Sequence, residues 1–289
     1  LRHRVEAPAF RIAKGNPTVT MVRGNFRMED APSEERMPRY VVRWERQRGK
    51  SGRYDVSENI YLACDAGGPE VMCVEILVHD DPQFDRTVMI GPIDRQFDRV
   101  TVYLEAQRGE ILWGGGEQMS HLALNGRRFP MWTSEPGVGR EPGTALTDLM
   151  NADGSFAGGD YWTTNYPDPT FLSSAGYAIR VGSDGYAELD FTGDRQHRIE
   201  SWCNSLILDC FEGESIANLV GQITPGNSRP TALPDWAIGG AIVGLKDGAN
   251  SFDRLEKIIA AGAAVSGLWC EDWVGIRQTS FGRRLFWDW

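Results

Sequence analysis

Tyr177-Ala178-Ile179-Arg180-Val181-Gly182-Ser183-Asp184-Gly185-Tyr186-Ala187-Glu188-Leu189-Asp190-Phe191 is the stretch on which the fold class turns. Both ends carry the β-branched and aromatic residues that suit a pleated surface. The Gly-Ser-Asp-Gly between them is turn chemistry, so the stretch predicts two strands joined as a hairpin. Working outward, Tyr40-Val41-Val42-Arg43-Trp44 alternates in part, and residues 71–78 form a β-branched-rich run. Residues 99–104 alternate polar with apolar at period two, and residues 205–211 read as a further strand. Regularly spaced strands with little helical periodicity predict a mainly β body, a β-sandwich.

The pattern changes after Gly213. Residues 215–223 suit a short helix, and Pro225-Gly226-Asn227-Ser228-Arg229-Pro230 with Leu233-Pro234-Asp235-Trp236 forms a breaker-rich linker. These signals put a domain boundary near residue 232, with a sandwich over 1–232 and a second domain over 233–289. The second part reads as a β-α-β unit. Residues 237–245 are apolar and Gly-rich, as in a strand buried on both faces. Ser251 suits an N-cap, Leu255, Ile258, Ile259 and Ala263 fall at helical spacing, and Gly262 can stop the helix. Val265-Ser266-Gly267-Leu268-Trp269-Cys270 then reads as a second, parallel strand. Two parallel strands and one helix cannot enclose a core, and Phe286-Trp287-Asp288-Trp289 would be left uncovered. The expectation is a second domain that is truncated.

The 289 residues carry a net charge of −10 and a pI near 5.0. That balance argues against nucleic acid and against acidic membrane surfaces, both of which select a basic patch. An anion site would have to be built locally from particular basic side chains. Thirty-three glycines fit many turns, and ten tryptophans fit stacking surfaces as well as core. The five cysteines, Cys64, Cys73, Cys203, Cys210 and Cys270, form no CxxC pair and suit reduced thiols better than a disulfide framework or zinc site. No apolar run approaches a bilayer span, and Leu1-Arg2-His3-Arg4 lacks an apolar h-region. A cytoplasmic protein is expected, and a homo-oligomer is left open. His3, His79, His121 and His197 are scattered without ligand spacing, so neither metal nor organic cofactor is expected.

Four motifs carry chemistry, each with a plain structural alternative. Gly114-Gly115-Gly116-Glu117-Gln118 follows a strand; it is a tight inter-strand turn, or a loop that offers Glu117 to sugar hydroxyls. No Lys-Ser/Thr follows, so it is not a phosphate loop. Gly158-Gly159-Asp160-Tyr161-Trp162, with Asn165-Tyr166-Pro167, is a shaped aromatic loop that packs on its own domain or borders a site. Lys246-Asp247 and Glu271-Asp272 follow the two parallel strands at their C-terminal ends, the face where α/β barrels do chemistry. They form a donor–acceptor set there, or a loop of solvated charges. Arg284 and Trp287 are three apart and would share a face on a helix or turn. They are paired donors to an oxyanion, or an arginine stacked on an indole.

Several of these stretches resemble a known family. Gly114 to Ser120, Phe129-Pro130-Met131-Trp132-Thr133-Ser134-Glu135-Pro136-Gly137-Val138-Gly139-Arg140, Gly158-Gly159-Asp160-Tyr161 and Leu233-Pro234-Asp235-Trp236 look like the sulfoquinovosidases of glycoside hydrolase family 31. The most specific likeness runs from Gly267 to Trp289 and includes Ile276-Arg277-Gln278-Thr279-Ser280-Phe281-Gly282. The similarity covers residues 100–289.

The resemblance implies an amino-terminal β-sandwich followed by the first β-α-β unit of a truncated (β/α)8 barrel. It implies a substrate that is a small α-glycoside of sulfoquinovose, a glucose with a sulfonate on carbon 6, such as sulfoquinovosyl glycerol. By position, Arg284 matches the sulfonate-binding arginine and Trp287 the neighbouring indole donor. Lys246 and Glu271 match a paired donor and acceptor near the sugar hydroxyls, where relatives carry Lys/Glu or Gln/Gln. Glu117 matches a sandwich-loop carboxylate, and Asp272 an acidic position at the second strand. Such enzymes are retaining and use two carboxylates about 5–5.5 Å apart, a nucleophile and an acid/base. The resemblance places both aspartates beyond Trp289, so this chain is expected to hold no catalytic residue and to be inactive alone. The alternatives are a family 31 α-glucosidase without sulfonate preference, and a non-catalytic carbohydrate-binding module.

Overall fold

In Leu206-Ile207-Leu208-Asp209-Cys210-Phe211-Glu212, Leu206 and Leu208 are buried in one hydrophobic cluster and Phe211 in another. Successive side chains of a strand point to opposite faces, so this strand has a cover on each side. One cover is a second sheet and the other a helix. The computed structural model describes residues 9–22, 25–48, 54, 56–79, 86–134, 143–154, 156–224, 231–245, 250–270, 276–280 and 282–285.

In chain order the strands before the first helix are β1 (Phe10–Lys14), β2 (Pro17–Val22), β3 (Asn25–Asp30), β4 (Glu34–Arg36), β5 (Tyr40–Arg48), β6 (Val56–Ala63), β7 (Met72–Val78), β8 (Arg86–Pro92), β9 (Arg99–Glu105), β10 (Leu112–Gly116) and β11 (Arg128–Met131). Helix α1 (Ala145–Asn151) precedes β12 (Pro167–Ser173), β13 (Tyr177–Gly182), β14 (Ala187–Asp190), β15 (Gln196–Ser201) and β16 (Leu206–Glu212), and α2 (Ile216–Ile223) follows. The remainder comprises α3 (Asp235–Ile238), β17 (Ala241–Leu245), α4 (Ser251–Ala260), β18 (Val265–Cys270), β19 (Ile276–Thr279) and β20 (Gly282–Leu285). The chain divides into two units, Leu1–Asn227 and Ser228–Trp289. No helix among the described residues is long and apolar enough to cross a membrane.

The first unit holds a six-stranded sheet, ordered β11-β14-β15-β9-β1-β4, and an eight-stranded sheet, ordered β10-β12-β13-β16-β8-β7-β6-β5. All their pairings are antiparallel. The cluster between them takes Ile12, Val100, Val102, Leu189 and Ile199 from the first sheet, and Met72, Val74, Ile90, Phe171, Ile179, Leu206 and Leu208 from the second. Each full burial of such a side chain is worth about 1.5–3 kcal/mol. On the other face of the eight-stranded sheet, Leu219 and Ile223 of α2 pack on Ala178 and Phe211, which are cross-strand partners. Ser215 Oγ accepts the Asn218 N–H at 3.1 Å and caps the helix start. Arg180 Nη2 donates to the Ile223 carbonyl at 2.7 Å and satisfies one of the carbonyls at its end.

The polar side of the six-stranded sheet is closed by a ladder of ion pairs. Arg11 joins Glu35 to Glu200, Arg198 joins Glu200 to Glu188 and Asp190, and Arg128 reaches Glu188. Thr101 lies beneath this row with no exposed surface, donating to Glu200 Oε2 at 3.2 Å.

The structure corrects the hairpin expected over residues 177–191. β13 pairs with β12 and β16, whereas β14 pairs with β11 and β15 in the other sheet. The Gly-Ser-Asp-Gly segment is therefore an arch that carries the chain across the core. A turn sequence reverses the chain whether or not its flanks then pair. Here Ile179 and Val181 on one side, and Ala187 and Leu189 on the other, are all buried, so the two strands are joined through the core. The arch is held by Ser183 Oγ against Ser201 Oγ at 2.5 Å and by the Trp202 N–H donating to the Tyr186 carbonyl at 2.8 Å.

The second unit contains the expected β-α-β arrangement, since β17 and β18 are parallel with α4 between them. Its details differ. Residues 235–238 form a helical turn, so the strand begins only at Ala241. Asn250, not Ser251, occupies the N-cap, and Gly262 has a φ of +85° just after the helix, as a left-handed stop does. The burial on both faces expected for residues 237–245 is not met in this chain, where Ile242 of β17 is 61% exposed.

Candidate functional site

Glu117 is presented by a backbone device built from the three glycines before it. Gly114, Gly115 and Gly116 have φ values of +121°, +78° and +83°, a region that L side chains rarely enter. They do not form the tight inter-strand turn that the sequence suggested. They end β10 itself, where the register against β12 shifts between Gly114 and Gly116. A Cβ at Gly114 would lie 2.4 Å from the Thr170 carbonyl, and one at Gly116 would lie 2.2 Å from the Tyr166 carbonyl. The bulge thus needs glycine on two counts, conformation and space. Its product is an exposed Glu117 whose N–H donates to the Tyr166 carbonyl at 2.9 Å. Tyr166, itself 64% exposed, stands beside it.

The glycine-aromatic loop at 158–162 packs on its own sandwich. Tyr161 and Trp162 lie against the core cluster, and the Tyr161 hydroxyl donates to the Arg128 carbonyl at 2.7 Å. Before this loop, Phe156 holds a φ of +58° and carries the Arg27 guanidinium over its ring at 3.8 Å.

Lys246, Glu271, Asp272 and Trp287 lie outside the described residues. Leu245 and Cys270, which precede Lys246 and Glu271, are partners at the C-terminal ends of β17 and β18. Arg284 is in strand β20, opposite Arg277 of β19. It is therefore in a strand, not a helix, while Trp287, its expected neighbour on a helix or turn, lies outside the described residues.

A polar cluster escaped the sequence reading. Glu110 and His197 are buried, and His197 Nε2 lies 3.1 Å from Glu110 Oε2. The same carboxylate accepts the Tyr177 hydroxyl at 2.6 Å, the Gln107 N–H at 2.8 Å and the Ser173 hydroxyl. Burial acts to raise the pKa of Glu110, but these donors together outweigh it and hold the carboxyl below its ordinary value. Burial and the Glu110 carboxylate push the Tyr177 phenol upward. Glu110 and His197 are 87 residues apart, so no local pattern could pair them. The only hint was a glutamate in a Gly109-Glu110 turn flanked by strands.

In fold and sequence the chain is similar to a glycoside hydrolase of family 31. No protein-family model matches the chain. The particular likeness is to sulfoquinovosidases. Over its whole length the chain is 43% identical to the sulfoquinovosidase of Agrobacterium fabrum (strain C58) and 31% identical to that of Escherichia coli (strain K12). It covers 40% and 41% of those proteins, so it spans about two fifths of the curated relatives it matches. A family 31 sulfoquinovosidase from E. rectale, solved with an aza-sugar inhibitor, superimposes over the entire chain with a TM-score of 0.80 and 34% identity. The chain covers 41% of that structure.

Proposed function

We propose that this chain is the sandwich (residues 1–232) and the first β-α-β unit (233–289) of a (β/α)8-barrel enzyme, a retaining α-glycosidase that releases sulfoquinovose from α-sulfoquinovosides. The observation that carries this reading is 43% identity along the full chain to a sulfoquinovosidase. The parallel pairing of β17 with β18 supports it. It brings two strands to a common C-terminal edge, and Lys246 and Glu271 come next in sequence. Ligands bind at that edge in α/β barrels.

In this proposal Arg284 and Trp287 bind the sulfonate by charge and N–H donation. Lys246 and Glu271 read neighbouring hydroxyls as donor and acceptor, with Asp272 beside them. Glu117, exposed on its glycine bulge, is assigned as a further substrate-binding carboxylate. The net charge of −10 on this chain offers an anion no general attraction, so its part in sulfonate binding falls to particular donors. The nucleophile and the acid/base are assigned to the part of the relatives that this chain does not cover. One would form a glycosyl ester at the anomeric carbon, and the other would protonate the leaving oxygen and then activate water.

The test is kinetic, on the full-length enzyme. Arg284→Ala or Arg284→Lys should lose about 3 kcal/mol or more of transition-state binding on nitrophenyl α-sulfoquinovoside. The loss on nitrophenyl α-glucoside should be much smaller. Equal losses on both substrates would remove the sulfonate role and favour a general α-glucosidase.

A further inference from the structure

Gly114-Gly115-Gly116 is the most pliable backbone a chain can offer, because glycine has more conformational freedom to lose than any other residue. Glu117 follows directly, so the run must be held still if the carboxylate is to meet a ligand in one place. The neighbouring strand is poorly placed to hold it. Gly115 falls inside the register shift with no cross-strand partner in β12, and Gly116 is opposite Pro167, which has no N–H. Gln118 supplies what β12 does not. Its Nε2 donates to the Gly115 carbonyl at 2.8 Å, and its N–H donates to the Gly116 carbonyl at 2.9 Å. The side chain doubles back over Gly115, where an added Cβ would come within 3.2 Å of Gln118 Cγ.

These bonds close a staple between residues 115 and 118, in which Gln118 is half-buried and Glu117 is exposed. On its other side the Glu117 N–H is tied to the Tyr166 carbonyl at 2.9 Å. The ties flank the Cα of Glu117 and leave its side chain unengaged by them. Holding a ligand-contacting group through its neighbours is how a site is preorganised. We propose that Gln118 is a positioning residue: its amide pins the glycine run and so fixes where Glu117 presents its carboxylate to substrate. This rests on the substrate-binding role proposed above for Glu117. Gln118 acts through Glu117, without a contact of its own to the sugar.

The test is a double-mutant cycle on the full-length enzyme, with nitrophenyl α-sulfoquinovoside as substrate. Gln118→Met keeps the length of the side chain and removes the donor; Gln118→Glu keeps its shape but cannot donate as a carboxylate. Each should lower kcat/KM about tenfold, since ~1 Å of misplacement can cost about a hundredfold. Glu117→Ala should lower it by at least as much. In the Glu117→Ala background the same changes at Gln118 should alter kcat/KM by less than about twofold, because the group they position is gone. A loss under about twofold in either single variant of Gln118 would overturn the proposal. So would a loss of about tenfold that persists in Glu117→Ala, which would make Gln118 a structural residue only. Full activity of Glu117→Ala would remove the substrate role of Glu117 and this proposal with it. No turnover by the unaltered enzyme would remove the sulfoquinovosidase reading itself, on which both stand.

Discussion

The N–H of Glu117 donates to the carbonyl of Tyr166 at 2.9 Å, one residue after a glycine bulge that no other residue type could build. The hydrogen bond ties β10 to the start of β12 at the point where their register shifts, and it leaves the Glu117 side chain outside.

Gly116→Ala should therefore destabilise the chain by more than about 2 kcal/mol, since it combines a left-handed φ with a carbonyl in the space of the new Cβ. Urea unfolding measures this. A loss under about 0.5 kcal/mol would mean that the bulge relaxes freely.

Glu110→Gln keeps the shape of the buried cluster and removes its charge. At pH 7 it should cost about 2–3 kcal/mol, the scale of charge-assisted hydrogen bonds. The pH dependence has a definite sign. The folded pKa of Glu110 is below its unfolded value, so its stabilisation is complete above the unfolded pKa, about 4.3. It is lost as pH falls through the folded pKa. The stability gap between the native chain and Glu110→Gln should thus narrow on acidification below about pH 5. A gap equal at pH 3 and pH 7 would contradict the assignment.

Arg198 and Glu188 make opposite predictions within one ladder. Burial raises the pKa of Glu188 despite Arg198 and Arg128 beside it. Ionising this group is thus less favourable in the folded state, and the associated stability is lost as pH rises through its folded pKa. Glu188→Gln at neutral pH should change stability by less than about 1 kcal/mol. Arg198→Met should cost about 3–5 kcal/mol, because Glu188, Asp190 and Glu200 all lose their shared guanidinium. Equal losses for the two variants, by thermal or urea unfolding, would show that the ladder is not organised around Arg198.

Lys246 and Glu271, following paired strand ends, should act as a unit in the full-length enzyme. Each single change to Gln should lower kcat/KM on a sulfoquinovoside. The double Gln/Gln change should recover at least about 1 kcal/mol relative to additivity, as for contacting residues. Strict additivity would separate them.

Much of this architecture could be read locally. The alternating residues 99–104 emerged as β9 and the runs at 205–211 and 265–270 as β16 and β18, although in β9 both faces are buried from Arg99 to Val102. The short helix expected over residues 215–223 is α2, and the structure adds that Ser215 caps it. The misreadings share one cause. Residues 177–191 contain a sound turn and two sound strands, but which strands become neighbours depends on partners far along the chain. The glycine triplet announced unusual backbone without saying that it would bend a strand end.

The sequence alone determined the mainly β body, the change to a parallel β-α-β unit and the order of the motifs, because these follow from side-chain period and turn chemistry within short windows. Tertiary structure alone decided that Gly182–Tyr186 is an arch, that Arg11, Glu200, Arg198 and Glu188 share one ladder, and that Glu110 meets His197 under a cavity. Arg11 and Glu200 are 189 positions apart and Glu110 and His197 87, and the arch and the ladder take their form only when two sheets close on a common core.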